Sequence, residues 1–178
     1  MNRPVLPDAR APRGTLPMAS TIVVGNPKPA SRTLDAAQRL THELTGGPSD
    51  HVVDLTLMTE DLIHDEGPRL EGTIATLAGS SLVVVASPTY KGTYTGLLKL
   101  FIDRLPGGDD LSRVIAVPLM LGGDMRHSLA ADIFLRPLLC EVGFVCPAPG
   151  LFLVDSSYHD DGRLERYASR WAPTLRGS

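Results

Sequence analysis

The stretch LVVVASPTYKGTYTGLLKLFIDRL, Leu82 to Leu105, decides the fold. Leu82-Val83-Val84-Val85-Ala86 is an apolar run too short for a helix and rich in β-branched valine, which is how a strand covered on both faces reads. A polar loop follows, Ser87-Pro88-Thr89-Tyr90-Lys91-Gly92-Thr93, carrying an aromatic ring, a cation and a glycine. Leu97, Leu98, Phe101, Ile102 and Leu105 then recur at helical spacing and give a stripe that packs on a sheet. Strand, loop and amphipathic helix make half of a βαβ unit. In open α/β sheets ligands sit at the carboxyl ends of strands, where this loop falls.

The same alternation runs outward in both directions. Upstream, Thr21–Gly25 reads as a strand and leads through Asn26-Pro27-Lys28-Pro29-Ala30-Ser31-Arg32-Thr33 into a helix bearing Leu34, Ala37, Leu40 and Leu44. Ser31 or Thr33 can cap that helix, with Asp35 in its first turn, and Gly46-Gly47-Pro48 ends it. His51–Leu55 is a second strand, 56–68 is acidic with no regular period, and Leu70, Ile74, Leu77 and Ala78 mark another helix. Downstream, Val114–Leu121 is a fourth strand, although Pro118 inside it removes a ladder donor and predicts a bulge or an early end to pairing. Gly122-Gly123-Asp124 leads to a helix over 128–142 that Pro137 should kink, then a strand over 151–155 and a last helix carrying Leu164, Tyr167, Ala168, Trp171 and Leu175.

Five strands alternating with helices, joined by right-handed crossovers, predict a doubly wound α/β fold with helices on both faces of a parallel sheet. The order 2-1-3-4-5 puts strands one, three and four side by side, so that their three loops share one rim. The length of 178 residues suits one domain, here 21–178, preceded by a proline-rich N-terminal tail over 1–20 with Met18 as an alternative start. An ordered arm gripping a partner subunit is the other reading of that tail.

Bulk properties exclude several classes. A net charge of −3 gives no electrostatic case for nucleic acid or an anionic membrane surface. No apolar run approaches the roughly 20 residues that span a bilayer. Cys140 and Cys146 sit in apolar surroundings without CxxC spacing, so buried, reduced thiols and a cytoplasmic location are expected, with no structural metal.

The first loop offers Asn26, hydroxyls at Ser31 and Thr33, cations at Lys28 and Arg32, and a helix N-terminus. These are the parts of a phosphate site, or equally a helix cap beside two solvated cations. Neither GxxxxGK[ST] nor GxGxxG is present, so no dinucleotide fingerprint supports the loop. The second loop, Pro88 to Thr93, can border a planar ring with Tyr90 and its main-chain N–H groups, or Tyr90 can cover the sheet end while Lys91 points to water. The glycine pair of the third loop lets backbone approach a ligand closely.

Together these motifs resemble the NADPH-dependent FMN reductase family. SPTYKGTYTGLLKLFIDRLP is similar to that family's PxYKxxYTGxLKxxxDxLP pattern, GNPKPASRT resembles its first loop, GSPRxxSRT, and LMLGGD with the later LRPLL resembles its third loop and long helix. Asn26 stands where serine is commoner, and Gly92 and Thr93 occupy variable positions. The subgroup most resembled supplies reduced flavin to two-component sulfonate monooxygenases. The resemblance implies a flavodoxin-like fold and an FMN site made by all three loops. Asn26, Lys28, Ser31, Arg32 and Thr33 would hold the phosphate. Pro88, Thr89, Tyr90, Lys91 and Gly92 would border the isoalloxazine, with Gly122, Gly123 and Asp124 near its other edge. It further implies hydride transfer from NADPH or NADH to FMN with no catalytic side chain, a homodimer or homotetramer using the Pro137 helix, and a flavin-dependent monooxygenase as partner. Two alternatives stay open on the residues: a quinone, azo-dye or chromate reductase with fixed FMN, and a flavodoxin-type electron carrier. The modest charge and scarcity of aromatics fit the carrier poorly.

Overall fold

The computed structural model describes residues 18–64, 67–106 and 109–176. The first seventeen residues, most of the expected tail, lie outside them. Five strands form one parallel sheet in the order β2-β1-β3-β4-β5. They are β1 (Ser20–Val24), β2 (His51–Asp54), β3 (Leu82–Pro88), β4 (Ile115–Gly122) and β5 (Leu151–Val154). The helices are α1 (Arg32–Thr45), α2 (Thr59–His64), α3 (Pro68–Ala78), α4 (Gly96–Ile102), α5 (Arg136–Glu141) and α6 (Arg163–Leu175).

Alternate residues of each inner strand point to opposite faces, and each face has its own core. Ile22, Val24, Val84, Ala86 and Leu119 pack with Leu40 and Leu44 of α1 and Leu164 and Ala168 of α6. Val23, Val83, Val85 and Met120 pack with Leu77 of α3, Leu98 and Phe101 of α4 and Leu139 of α5. Both faces are therefore covered, which is why the central strands read as unbroken valine and leucine. The direction of strand addition reverses between β1 and β3, so the crevice at their carboxyl ends is the topological switch point.

Four expectations are corrected. First, 56–68 is not irregular: a 3₁₀ turn over Leu55–Met58 runs into α2. Leu55, Met58 and Leu62 are buried there, a helical spacing masked by the exposed Leu57 and Ile63 beside them. Second, Pro118 causes neither a bulge nor an early end, because β4 stays in register with β3 from Ile115 to Leu121, with Val85 opposite Pro118. Ala116 donates to Val145 and the Gly122 carbonyl accepts from Asp155, so even-numbered positions of β4 face the β5 side. β5 pairs only from Leu119 onward, and the missing N–H of Pro118 thus points into a gap in the ladder.

Third, the distortion expected at Pro137 lies one turn earlier. Ala131–Leu135 is a π turn, closed by the Arg136 N–H donating to the Ala131 carbonyl, and it runs straight into α5 through helical backbone at Leu135, so Pro137 lies inside a continuous helix whose preceding turn is widened around its missing donor. Fourth, only Cys146 is buried, while Cys140 is exposed on α5; burial pushes the Cys146 thiol up to about 12.

Candidate functional site

Loops after β1, β3 and β4 converge above the switch point. In the first, Asn26 is buried and spends both ends of its amide on the loop itself. Its Nδ2 donates to Thr33 Oγ1 at 3.0 Å, and its Oδ1 accepts from the Lys28 N–H at 3.0 Å. Ser31 is the N-cap of α1, its hydroxyl accepting from the Leu34 N–H at 3.2 Å, which decides the cap in favour of Ser31 over Thr33. Helix geometry leaves the first-turn N–H groups of Arg32 and Thr33 without an intrahelical acceptor. Ala30, before the cap, is held at a φ of 47°, a left-handed conformation that a residue with a Cβ adopts at a cost.

The second loop closes on itself. Tyr90 and Thr93 exchange backbone hydrogen bonds of 2.9 and 3.2 Å, and the two residues between them, Lys91 and Gly92, have φ of 54° and 88°. Positive φ at both central positions is the type I′ turn, which wants glycine or asparagine where this chain has lysine. The base of the loop is fixed from below: Ser87 Oγ accepts from the Thr95 N–H and donates to the Pro88 carbonyl. Thr95 caps α4, accepting from the Leu98 N–H at 3.1 Å, and its hydroxyl donates to the Gly25 carbonyl. One threonine therefore ties the second loop to the first.

The third loop begins at Gly122. A Cβ there would lie 2.6 Å from Phe152 Cζ, whereas one at Gly123 would meet nothing. Asp124 caps a short 3₁₀ turn over Met125–His127 and takes a bidentate ion pair from Arg126, at 3.0 Å from Nε and 2.7 Å from Nη2. The Arg126 guanidinium holds the Asp124 carboxyl at about 2, so this pair stays charged across the neutral range. The His127 ring lies over Gly92, bringing the tips of loops two and three together.

Between the loops is a cleft of about 460 Å³, within the range of small-molecule and cofactor sites. Its wall contains Asn26, Lys28, Ser31, Arg32 and Thr33 from the first loop, Pro88, Thr89 and Tyr90 from the second, and Gly122 and Gly123 from the third. Lys91, Gly92 and Asp124 lie just beyond that wall, in the turns that shape it. The sequence reading missed Pro29, Ala30, Leu121 and Asp155, which also line it. Asp155 matters most, with its Oδ1 3.0 Å from Arg32 Nε. Its position after the last apolar strand run was the available signal. A second groove, of about 430 Å³, lies between α1, β2 and α6, away from the strand ends.

The cleft fits a flavin mononucleotide by its own chemistry. Two cations and a helix N-terminus stand at one end. Thr89 Oγ1 is buried against the third loop with no hydrogen-bond partner, although buried hydroxyls ordinarily have one. Its backbone N–H is already committed to the Leu121 carbonyl.

The family model described as NADPH-dependent FMN reductase matches residues 18–159. The chain belongs to this family. An FMN reductase (NADPH) of Pseudomonas aeruginosa is 30% identical over 181 residues, covering 92% of this chain and 95% of that protein. An NADH-dependent FMN reductase, SfnF, of Pseudomonas fluorescens is 31% identical over 161 residues, covering 80% and 84%. Among solved structures, an NADH:FMN oxidoreductase in its apo form superposes with a TM-score of 0.80 at 26% identity, over 90% of this chain and 91% of that one. The expected flavodoxin-like architecture and family are both borne out. As an FMN reductase family member the chain is an oxidoreductase using FMN with NADPH or NADH. Among the described residues no helix is long and apolar enough to cross a membrane, and no cluster of His, Cys, Asp and Glu could hold a metal.

Proposed function

We propose that this reductase binds FMN across the three-loop cleft, reduces it with NADPH or NADH, and passes reduced flavin to a flavin-dependent monooxygenase in the cytoplasm. The observation that carries the binding site is the convergence on one cleft of a phosphate-type helix N-terminus, an unpartnered Thr89 hydroxyl and an open glycine rim. Lys28, Ser31, Arg32, Thr33 and the first-turn N–H groups of α1 take the phosphate. Asn26 holds that loop in shape through its two internal hydrogen bonds. Pro88, Thr89, Tyr90, Lys91 and Gly92 border the ring on one side, with Gly122, Gly123 and Asp124 on the other.

The flavin, when bound, supplies the hydride acceptor, and the nicotinamide the donor. What the chain supplies is placement and charge stabilisation. Main-chain N–H groups of the second and third loops are fixed by the I′ turn and the Asp124 cap, so they need no reorganisation as charge develops beside them. A site working in this way requires no side-chain acid. We also propose that residues 21–178 act as one domain and assemble as a homodimer or homotetramer through the face preceding Pro137, where Leu129, Ile133 and Phe134 are exposed.

Anaerobic absorbance titration of the purified protein with FMN, followed by NADPH, tests the reading. Saturable FMN binding and bleaching of flavin absorbance are expected; binding without bleaching would leave an electron carrier instead. Arg32→Ala should weaken FMN by roughly 1.5–3 kcal/mol, the worth of a charged hydrogen bond. Unchanged affinity in that variant would remove Arg32 from the site.

A further inference from the structure

We propose that Asp155 is a counter-charge built into the phosphate end of the cleft, which keeps FMN exchangeable instead of permanently held. The inference rests on the FMN reading above and concerns how tightly that site grips. Asp155 is the first residue after β5, and its N–H donates to the Gly122 carbonyl at 2.9 Å, fixing it level with the third loop. Its side chain is about one-third exposed and lines the cleft, where it is the one acidic residue of the wall. Oδ1 lies 3.0 Å from Arg32 Nε, so the strongest cation of the first loop already has a partner before any ligand arrives.

The charge arithmetic decides the direction. Lys28 and Arg32 contribute two positive charges to the wall and Asp155 removes one, leaving a net of about +1 against a phosphate monoester carrying roughly −1.5 to −2 at neutral pH. Arg32 retains its terminal NH₂ groups for the phosphate, yet it meets the anion as half of an ion pair. A carboxylate beside an incoming dianion also repels it directly. An under-neutralised site grips the phosphate less tightly, which suits a flavin that leaves after reduction; an uncharged residue here would suit one that stays.

The test is equilibrium titration of FMN and of riboflavin, which lacks the phosphate, into the wild-type chain, Asp155→Asn and Asp155→Glu at low and high salt. Asp155→Asn should bind FMN about three- to tenfold more tightly at low ionic strength, with the gain shrinking as salt screens it. Riboflavin affinity should not move, and Asp155→Glu should stay near wild type. Asp155→Ser serves as a second charge-removing variant should the asparagine form fold poorly. Weaker or unchanged FMN binding in the charge-removed variants, or an equal shift for riboflavin, would overturn the proposal. Loss of FMN affinity in Arg32→Ala with no Asp155 effect would retire the counter-charge and leave the FMN site standing. Failure of the wild-type chain to bind FMN at all would overturn both.

Discussion

Thr89 carries the only side-chain hydroxyl among the described residues that is buried and left without a partner. Such a group costs free energy in the empty protein and is explained by what it is kept for. Thr89→Val should therefore raise the melting temperature of flavin-free protein, reflecting about 1 kcal/mol of relieved desolvation. The same variant should bind FMN more weakly. Differential scanning fluorimetry with and without FMN reads both, and a variant less stable in the absence of flavin would show the hydroxyl to be structural. Single residues differed in how legible they were. Ser31 and Arg32 were visible because capping and charge are local properties of sequence. Asp155 was not, because its importance comes from the register of β5 against β4, which brings it beside an arginine more than a hundred positions away.

At the level of elements, the cleft depends on how closely α4 approaches the end of β1. A Cβ on Gly25 would lie 2.5 Å from Leu98 Cβ and 3.1 Å from Leu98 Cα, with no flexible atom free to yield. Gly25→Ala should cost about 1–3 kcal/mol by overpacking and, by moving α4, slacken the Thr95 bond to the Gly25 carbonyl. Urea unfolding measures the first effect, and an unchanged midpoint would show that α4 can retreat freely. Strands and long helices were legible because their apolar positions repeat over several turns or form unbroken runs. α2 has only six residues and buries one of them, Leu62, beside two acids and an exposed Ile63, so it carries no period of its own. The π turn at Ala131–Leu135 left no sequence mark of its own, since a proline announces a local accommodation without saying which turn absorbs it.

For the whole molecule, the property to test is assembly. Leu129, Ile133 and Phe134 expose apolar surface of a kind that an isolated domain seldom leaves wet in one place. Replacing Phe134 by aspartate should shift the protein towards monomer in light scattering coupled to size exclusion. A wild-type chain that is already monomeric at working concentration would retire the oligomer reading. Much of the overall layout could be read in advance, because alternation and handedness call for a covered parallel sheet, and the order 2-1-3-4-5 is the one that brings the three polar loops to a single rim. What could not be read was the vertical alignment of one strand against the next. There Pro118 marks a break. Below it the edge of β4 is taken by Val145, bonded to Val114 and Ala116, and above it by β5 from Leu119 onward. A valine at that buried point would leave a backbone N–H facing the break between the two partners, a cost that a residue with no amide hydrogen never incurs.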